Sequence, residues 1–174
     1  IRKGNEVGSH AYGTGNIPFV RTSDVNNFEI SVDPTKSVSE GVYEEFAAQQ
    51  KLLPDDILMV VDGRYRIGAT ALLTASNVHC VVQSHFRIIT VLDERILNHY
   101  ELLFALNLPS VKKQLRNLVF VQSTLGTLGS RLLELEIPLL HGNGPWKDRV
   151  SSFQELLRKR DECLAVLRTM SGAE

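Results

Sequence analysis

Asp62-Gly63 is followed at once by Arg64, Tyr65 and Arg66, the most suggestive chemistry in the chain. Asp-Gly favours a tight hairpin turn, because both central positions need positive φ. Residues i and i+2 of a strand share a face, so Arg64 and Arg66 are expected to project together, with Tyr65 opposite. Two guanidinium forks on one ribbon suit phosphates or guanine edges; the same spacing suits solvated charges on an exposed strand. Lys112, Lys113 and Arg116 form a second basic group on the polar face of a helix, where a solvated surface is the other reading. The run from Gln122, Ser123 and Thr124 to Gly129 joins short donors to glycine-permitted tight backbone. It suits contact with a nucleic-acid backbone, or a plain surface loop. Gln83-Ser84-His85 lies between two apolar stretches, as a strand bend or a base-reading element.

Catalytic signatures are not visible. The chain has no GxGxxG after a strand, no GxxxxGK[ST], no HExxH and no GxSxG. Pro54-Asp55 begins a metal-nuclease pattern, but no later Asp or Glu stands two residues before a Lys. His10, His79, His85, His99 and His141 are scattered, and Cys80 and Cys163 have no CxxC companion. No metal site, disulfide or cofactor is therefore expected.

Composition bounds the partners. Nineteen Lys and Arg against twenty Asp and Glu give a net charge of −1, which argues against coating nucleic acid by bulk electrostatics. A local basic face is not excluded. With 174 residues, 43% of them hydrophobic, the chain can bury a core without a staple. Its apolar runs are too short and broken to span a bilayer. The chain begins at Ile1 with no basic-then-apolar leader, and reads as a trimmed piece of a cytoplasmic protein.

The elements that must position these groups follow from punctuation and period. Gly4, Gly8, Gly13 and Gly15 make the first 36 residues a looped segment with one extended run, 17–21. Ser37 and Glu40 have capping-box spacing before a short helix that ends ahead of Pro54. Ile57–Val61 reads as a buried strand, 64–73 as its return, and 78–92 as further β structure. Asp93-Glu94 opens a helix with Ile96, Leu97, Tyr100, Leu103 and Phe104 on its buried stripe, and Pro109 opens another. A loop over 122–130, a β-like run over 132–137, a linker over 138–145 and a final helix over 146–170 complete the chain. Val150, Phe153, Leu157, Leu164 and Leu167 form a long narrow stripe on that helix, which is expected to project beyond about residue 150 and to pair with another helix. The expected class is α/β (α+β), with a twisted mixed sheet, flanking helices and a C-terminal extended helix.

Four strings in order carry a resemblance: GNEVGSHAYGTGNIPFVRTSDV (4–25), SEGVYEEF, LLPDDILMVVDGRYRIG (52–68) and QSTLGTLGSRLLELEIPLL (122–140). Together they resemble a target recognition domain, the DNA-reading module of type I restriction–modification specificity subunits, found also at the end of fused restriction–methyltransferases. Ile17, Pro18, Phe19, Arg21, Ser23 and Asp24 match the opening motif. Asp56, Ile57, Leu58, Asp62, Gly63, Ile67 and Gly68 match the hairpin, and Leu135, Ile137 and Pro138 the closing motif. Two departures stand out: Asp55 replaces the usual Gly, and residues 139–146 lack the usual Pro-Pro-Leu segment. Whether the chain is part of a two-domain subunit, a single-domain subunit or the tail of a fusion stays open.

The resemblance implies a non-catalytic bacterial specificity domain over 1–141 and a spacer or assembly helix over 146–170. Its partners would be double-stranded DNA, a methyltransferase (modification) subunit and a restriction subunit, and the C-terminal helix would pair with another helix in a homodimer or a full-length chain, or else fold back onto its own domain. DNA contacts are then expected from Arg21, Thr22 and Ser23 of the opening motif, together with the groups named above. The competing reading is a protein-interaction domain that assembles through its last helix without reading DNA.

Overall fold

The computed structural model describes residues 1–63, 66–122, 125–139 and 144–171. In chain order, β1 is Arg2–Lys3, β2 Phe19–Val20, β3 Val25–Asn26 and β4 Glu29–Ile30, followed by α1, Glu40–Gln50. Next come β5 Ile57–Val60, β6 Asp62–Gly63, β7 Thr70–Leu72, β8 Val81–Val82 and β9 Phe86–Ile89. The remainder is α2 His99–Leu106, α3 Pro109–Leu118, β10 Phe120–Gln122, β11 Leu125–Thr127 and α4 Pro145–Ser171.

The strand Ile57–Val60 contains no residue that tolerates water, and all four are buried, as expected of a strand covered on both faces. It lies inside an antiparallel sheet of order β1-β9-β5-β7. Alternation divides its side chains between two cores. Leu58 and Val60 join Phe86, Ile88 and Leu73 on one face, while Ile57 and Met59 meet Leu103, Leu106, Val111 and Leu115 of α2 and α3 on the other. A third cluster packs Phe19, Val38 and Val81 under α1. The parallel pair β2–β8, the hairpin β3–β4 and the antiparallel sheet β10-β11-β6 complete the β structure. The fold is α+β, built from small sheets with flanking helices and a long last helix.

Buried polar groups lock the ends of these elements. Gln50, at the end of α1, accepts from Val82 N and donates to Val82 O, both at 2.9 Å. Asp56 accepts from Leu53 N at 2.8 Å and Arg2 Nη2 at 2.6 Å, and from the Thr90 hydroxyl. Asn98 and Glu101 form a reciprocal capping box at the start of α2.

Six expectations are corrected. Asp62-Gly63 is not a two-residue turn. Val61 N donates to His85 O, which carries the chain on in extended form, and Asp62 and Gly63 pair with Thr127 and Gly126. The return to β5 comes only at Gly68, whose N–H reaches Val60 O. Ser37 does not cap α1: its carbonyl is taken by Gly13 N, and the helix starts after Ser39 without a side-chain cap. Helix α2 starts at His99, not at Asp93, because Asp93 spends its carboxylate on Arg95 and Asn98 supplies the stronger cap. Residues 122–130 are not one loop, since β10 and β11 pair there, and Gly129–Glu134 is a 3₁₀ segment rather than β-like. Finally, α4 does not leave the body at residue 150. Val150 and Leu157 are buried, and Phe153 sits between Phe28 and Phe104 at ring-centroid distances of 5.1 and 5.5 Å. Along α4, Trp146 and Leu156 face solvent beside these buried positions, and the distal part leaves Val166, Leu167 and Met170 exposed together.

Candidate nucleic-acid interface

The turn after β2 is held by its own charges. Arg21 lies extended ahead of a 3₁₀ turn, Thr22–Asp24, and its N–H donates to the Asp24 carboxylate at 2.9 Å. The Arg21 guanidinium returns to Asp24 at 3.1 Å and reaches Asp33 at 3.5 Å. Hydrogen bonds from Thr35, with the nearby Arg21 charge, hold the Asp33 carboxyl below its usual range. Ser23 Oγ donates to Asp24 at 2.8 Å and the residue is exposed. Arg21 therefore braces this turn.

Sixty residues later the chain returns to the same place. Parallel pairing of β2 with β8 carries the strand into a turn at Gln83, where Thr22 N donates to Gln83 Oε1 at 3.3 Å. Ser84 Oγ donates to Glu6, and His85 Nδ1 pairs with Asp62 of β6. Asp62–Gly63 in turn pairs with β11, which sets that strand beside the His85 turn. Gln83, Ser84 and His85 are half-buried. Arg21, Ser23 Oγ, Ser84 Oγ and His85 Nδ1 each have a carboxylate partner and Thr22 N an amide partner, which suits positioning and hydrogen bonding more than net attraction.

A second group differs in electrostatics. Arg66 is exposed, has a left-handed backbone (φ 70°) and donates to Val25 O at 2.5 Å. Lys112 reaches back from α3 to the Gly68 carbonyl, and burial pulls its ammonium below the usual lysine range. Lys113 and Arg116 are exposed on α3. Among the described residues, Arg66, Lys112, Lys113 and Arg116 make no ion pair.

The structure thus joins Thr22 to Gln83 directly, and ties Arg66 to Val25, one residue beyond the opening turn. The expected alternation of Arg64 and Arg66 along one strand does not hold, because Arg66 lies in a left-handed turn outside β6. Arg64, Tyr65, Ser123 and Thr124 lie outside the described residues, as does the side chain of Gln122. Sequence reasoning missed Asp62 and Glu6 as the partners of His85 and Ser84. It also missed Asn26 and Asn27, which line the cavity beside Arg66 and Lys112. The only signal for the asparagines was a pair of turn-forming residues between two short β runs. Of the scattered histidines, His79 stacks on Tyr43 with ring centroids 4.3 Å apart, and His99 lies between Glu94 and Asp55.

No protein-family model matches the sequence, and no curated protein matches it. Among solved structures, the fold is similar to the type I restriction–modification system S subunit from M. genitalium, with a TM-score of 0.60 and 18% identity. The likeness covers 97% of this chain and 39% of the S subunit, so the chain spans well under half the length of that protein. Among the described residues no helix is long and apolar enough to cross a membrane.

Proposed function

We propose that the chain is a sequence-specific double-stranded DNA-binding module, a target recognition domain of a restriction–modification system. The observation that carries this reading is the likeness to an S subunit over 97% of the chain, reached independently of the ordered motifs at 17–24, 56–68 and 135–138. The module itself is non-catalytic and cytoplasmic, and it directs methyltransferase and nuclease activities that reside in partner subunits or a fused domain. Thr22, Ser23, Gln83 and Ser84, with Gln122, Ser123 and Thr124, supply the uncharged donors and acceptors that read base edges. Arg64, Tyr65, Arg66, Lys112, Lys113 and Arg116 grip the backbone or guanine, while Arg21 and His85 hold their turns. A net charge of −1 suits a module that shares phosphate contacts with more basic subunits.

The exposed Val166, Leu167 and Met170 favour a second role for α4, in which its distal half pairs with a helix of another copy or of a methyltransferase subunit.

Selection of the chain against a random duplex library tests the reading. A short enriched motif is expected, with affinity falling about tenfold or more between ~50 and ~200 mM salt as counterions are released. Absence of both enrichment and salt dependence sinks it.

A further inference from the structure

An open cavity of about 400 Å³ lies between the β3–β4 hairpin, the turn at 66–69 and α3. Its polar lining includes Asn26, Asn27, Arg66, Asn107 and Lys112, and among the described residues no Asp or Glu lines it. Arg66 donates one N–H to Val25 O, and Lys112 donates to Gly68 O. Each keeps further donors, since a guanidinium has five N–H groups and an ammonium three. The two cations are thus fixed in position by backbone carbonyls and carry no counter-charge among the described residues. The Asn107 amide is committed to Thr70 Oγ1 and Leu103 O, at 2.8 and 2.7 Å, while Asn26 and Asn27 are exposed.

The backbone around the cavity is unusual as well. Asn27, Phe28, Arg66 and Gly68 all have positive φ, at 49°, 66°, 70° and 84°. Three of these are not glycine, and left-handed backbone of this kind persists where surrounding structure over-determines it. Phe28 is held by its edge contact with Phe153, and Arg66 by its bond to Val25. These contacts hold both strained turns around one cationic hollow. Fixed donors facing a water-accessible cavity with no acid among its described lining residues match a tetrahedral oxyanion with several acceptor oxygens.

We propose that this cavity seats one backbone phosphate of bound nucleic acid, held by Arg66 and Lys112 with the side-chain amides of Asn26 and Asn27. The inference rests on the DNA-binding reading and adds a location to it. A phosphate there fixes register beside the opening turn without reading sequence, and offsets the cost of keeping the Lys112 charge half-buried.

The test compares the wild-type chain with the double variant Arg66→Gln plus Lys112→Gln, with Asn27→Asp, and with Lys147→Gln as a surface-charge control outside the cavity. Binding to several unrelated duplexes and to inorganic phosphate is measured across ~50–200 mM salt, with a thermal melt for each variant. One phosphate contact accounts for about a threefold share of the affinity lost over that salt range. The double variant is expected to lose about that share on every duplex alike. Asn27→Asp, which removes no cation and suits a left-handed turn, is expected to weaken all duplexes similarly, and Lys147→Gln to do neither. Wild-type binding with an unchanged salt slope in both cavity variants overturns the phosphate seat and leaves the DNA reading standing. A wild-type chain that takes up inorganic phosphate in an Arg66- and Lys112-dependent way but binds no duplex overturns both.

Discussion

Arg2 and Asp56 stand 54 positions apart and meet at 2.6 Å, with the Asp56 side chain fully buried. The same guanidinium donates to Gln50 O at 2.6 Å and to Lys51 O, so one side chain joins the first strand, the end of α1 and the start of β5. Removing the cation leaves a buried carboxylate with only Leu53 N and the Thr90 hydroxyl. Arg2→Ala is therefore expected to destabilise the fold by about 3 kcal/mol. Urea unfolding at neutral pH measures this, and a loss below about 1 kcal/mol would show that the remaining donors suffice.

Phe153 packs, half-buried, against the core of its own domain rather than on a projecting helix. Its ring meets Phe28 and Phe104 edge-on, and Leu157 one turn on is buried. Phe153→Ala is expected to cost about 3 kcal/mol, whereas Leu167→Ala, at an exposed position, should leave stability within about 0.5 kcal/mol. Equal small losses at both sites would mean that α4 is not anchored to its own domain. Sedimentation of Leu167→Asp then reports whether the distal half carries an assembly contact.

Gly68 is fixed by conformation and by space. Its φ is +84°, and a Cβ would stand 3.0 Å from Leu115 Cδ1 and 3.7 Å from Lys112 Nζ. Gly68→Ala is expected to cost at least about 1 kcal/mol from the left-handed backbone and to make Leu115 give way by a few tenths of an ångström. A melt with an unchanged midpoint would contradict this.

Thiol reactivity separates the two cysteines. Cys80 is buried and its thiol is pushed up to about 12 by desolvation, while Cys163 is exposed on α4. At pH 8 a disulfide reagent is expected to label one thiol quickly in the folded chain and the second only on unfolding, because the thiolate is the nucleophile. The Cys163→Ser variant should then show no fast phase. A fast phase that survives would place Cys80 in reach of solvent.

The elements dictated by local rules were legible in the sequence. Ile57–Val60 suits a buried strand because it is short and contains nothing polar, Pro109 suits the first turn of a helix because the N–H it lacks would have no partner there, and the run from Trp146 to Met170 has no helix breaker. The ordered motifs also suggested the kind of domain, and the fold agrees with that class. What local rules could not decide was partnership. Asp-Gly is the strongest short hairpin signal, yet Asp62 and Gly63 extend as a strand, because Val61 and Thr127 offer long-range backbone bonds that a turn would forgo. Likewise, one helical stripe fits either a neighbouring chain or the body of the domain. Phe153 and Leu157 face inward only because α2 and the β3–β4 hairpin bring Phe104 and Phe28 beneath them. The cationic hollow is the clearest case: Asn26, Arg66 and Lys112 share no period and no motif. They converge because two left-handed turns and one helix close on the same space, and such convergence is a property of the packed chain alone.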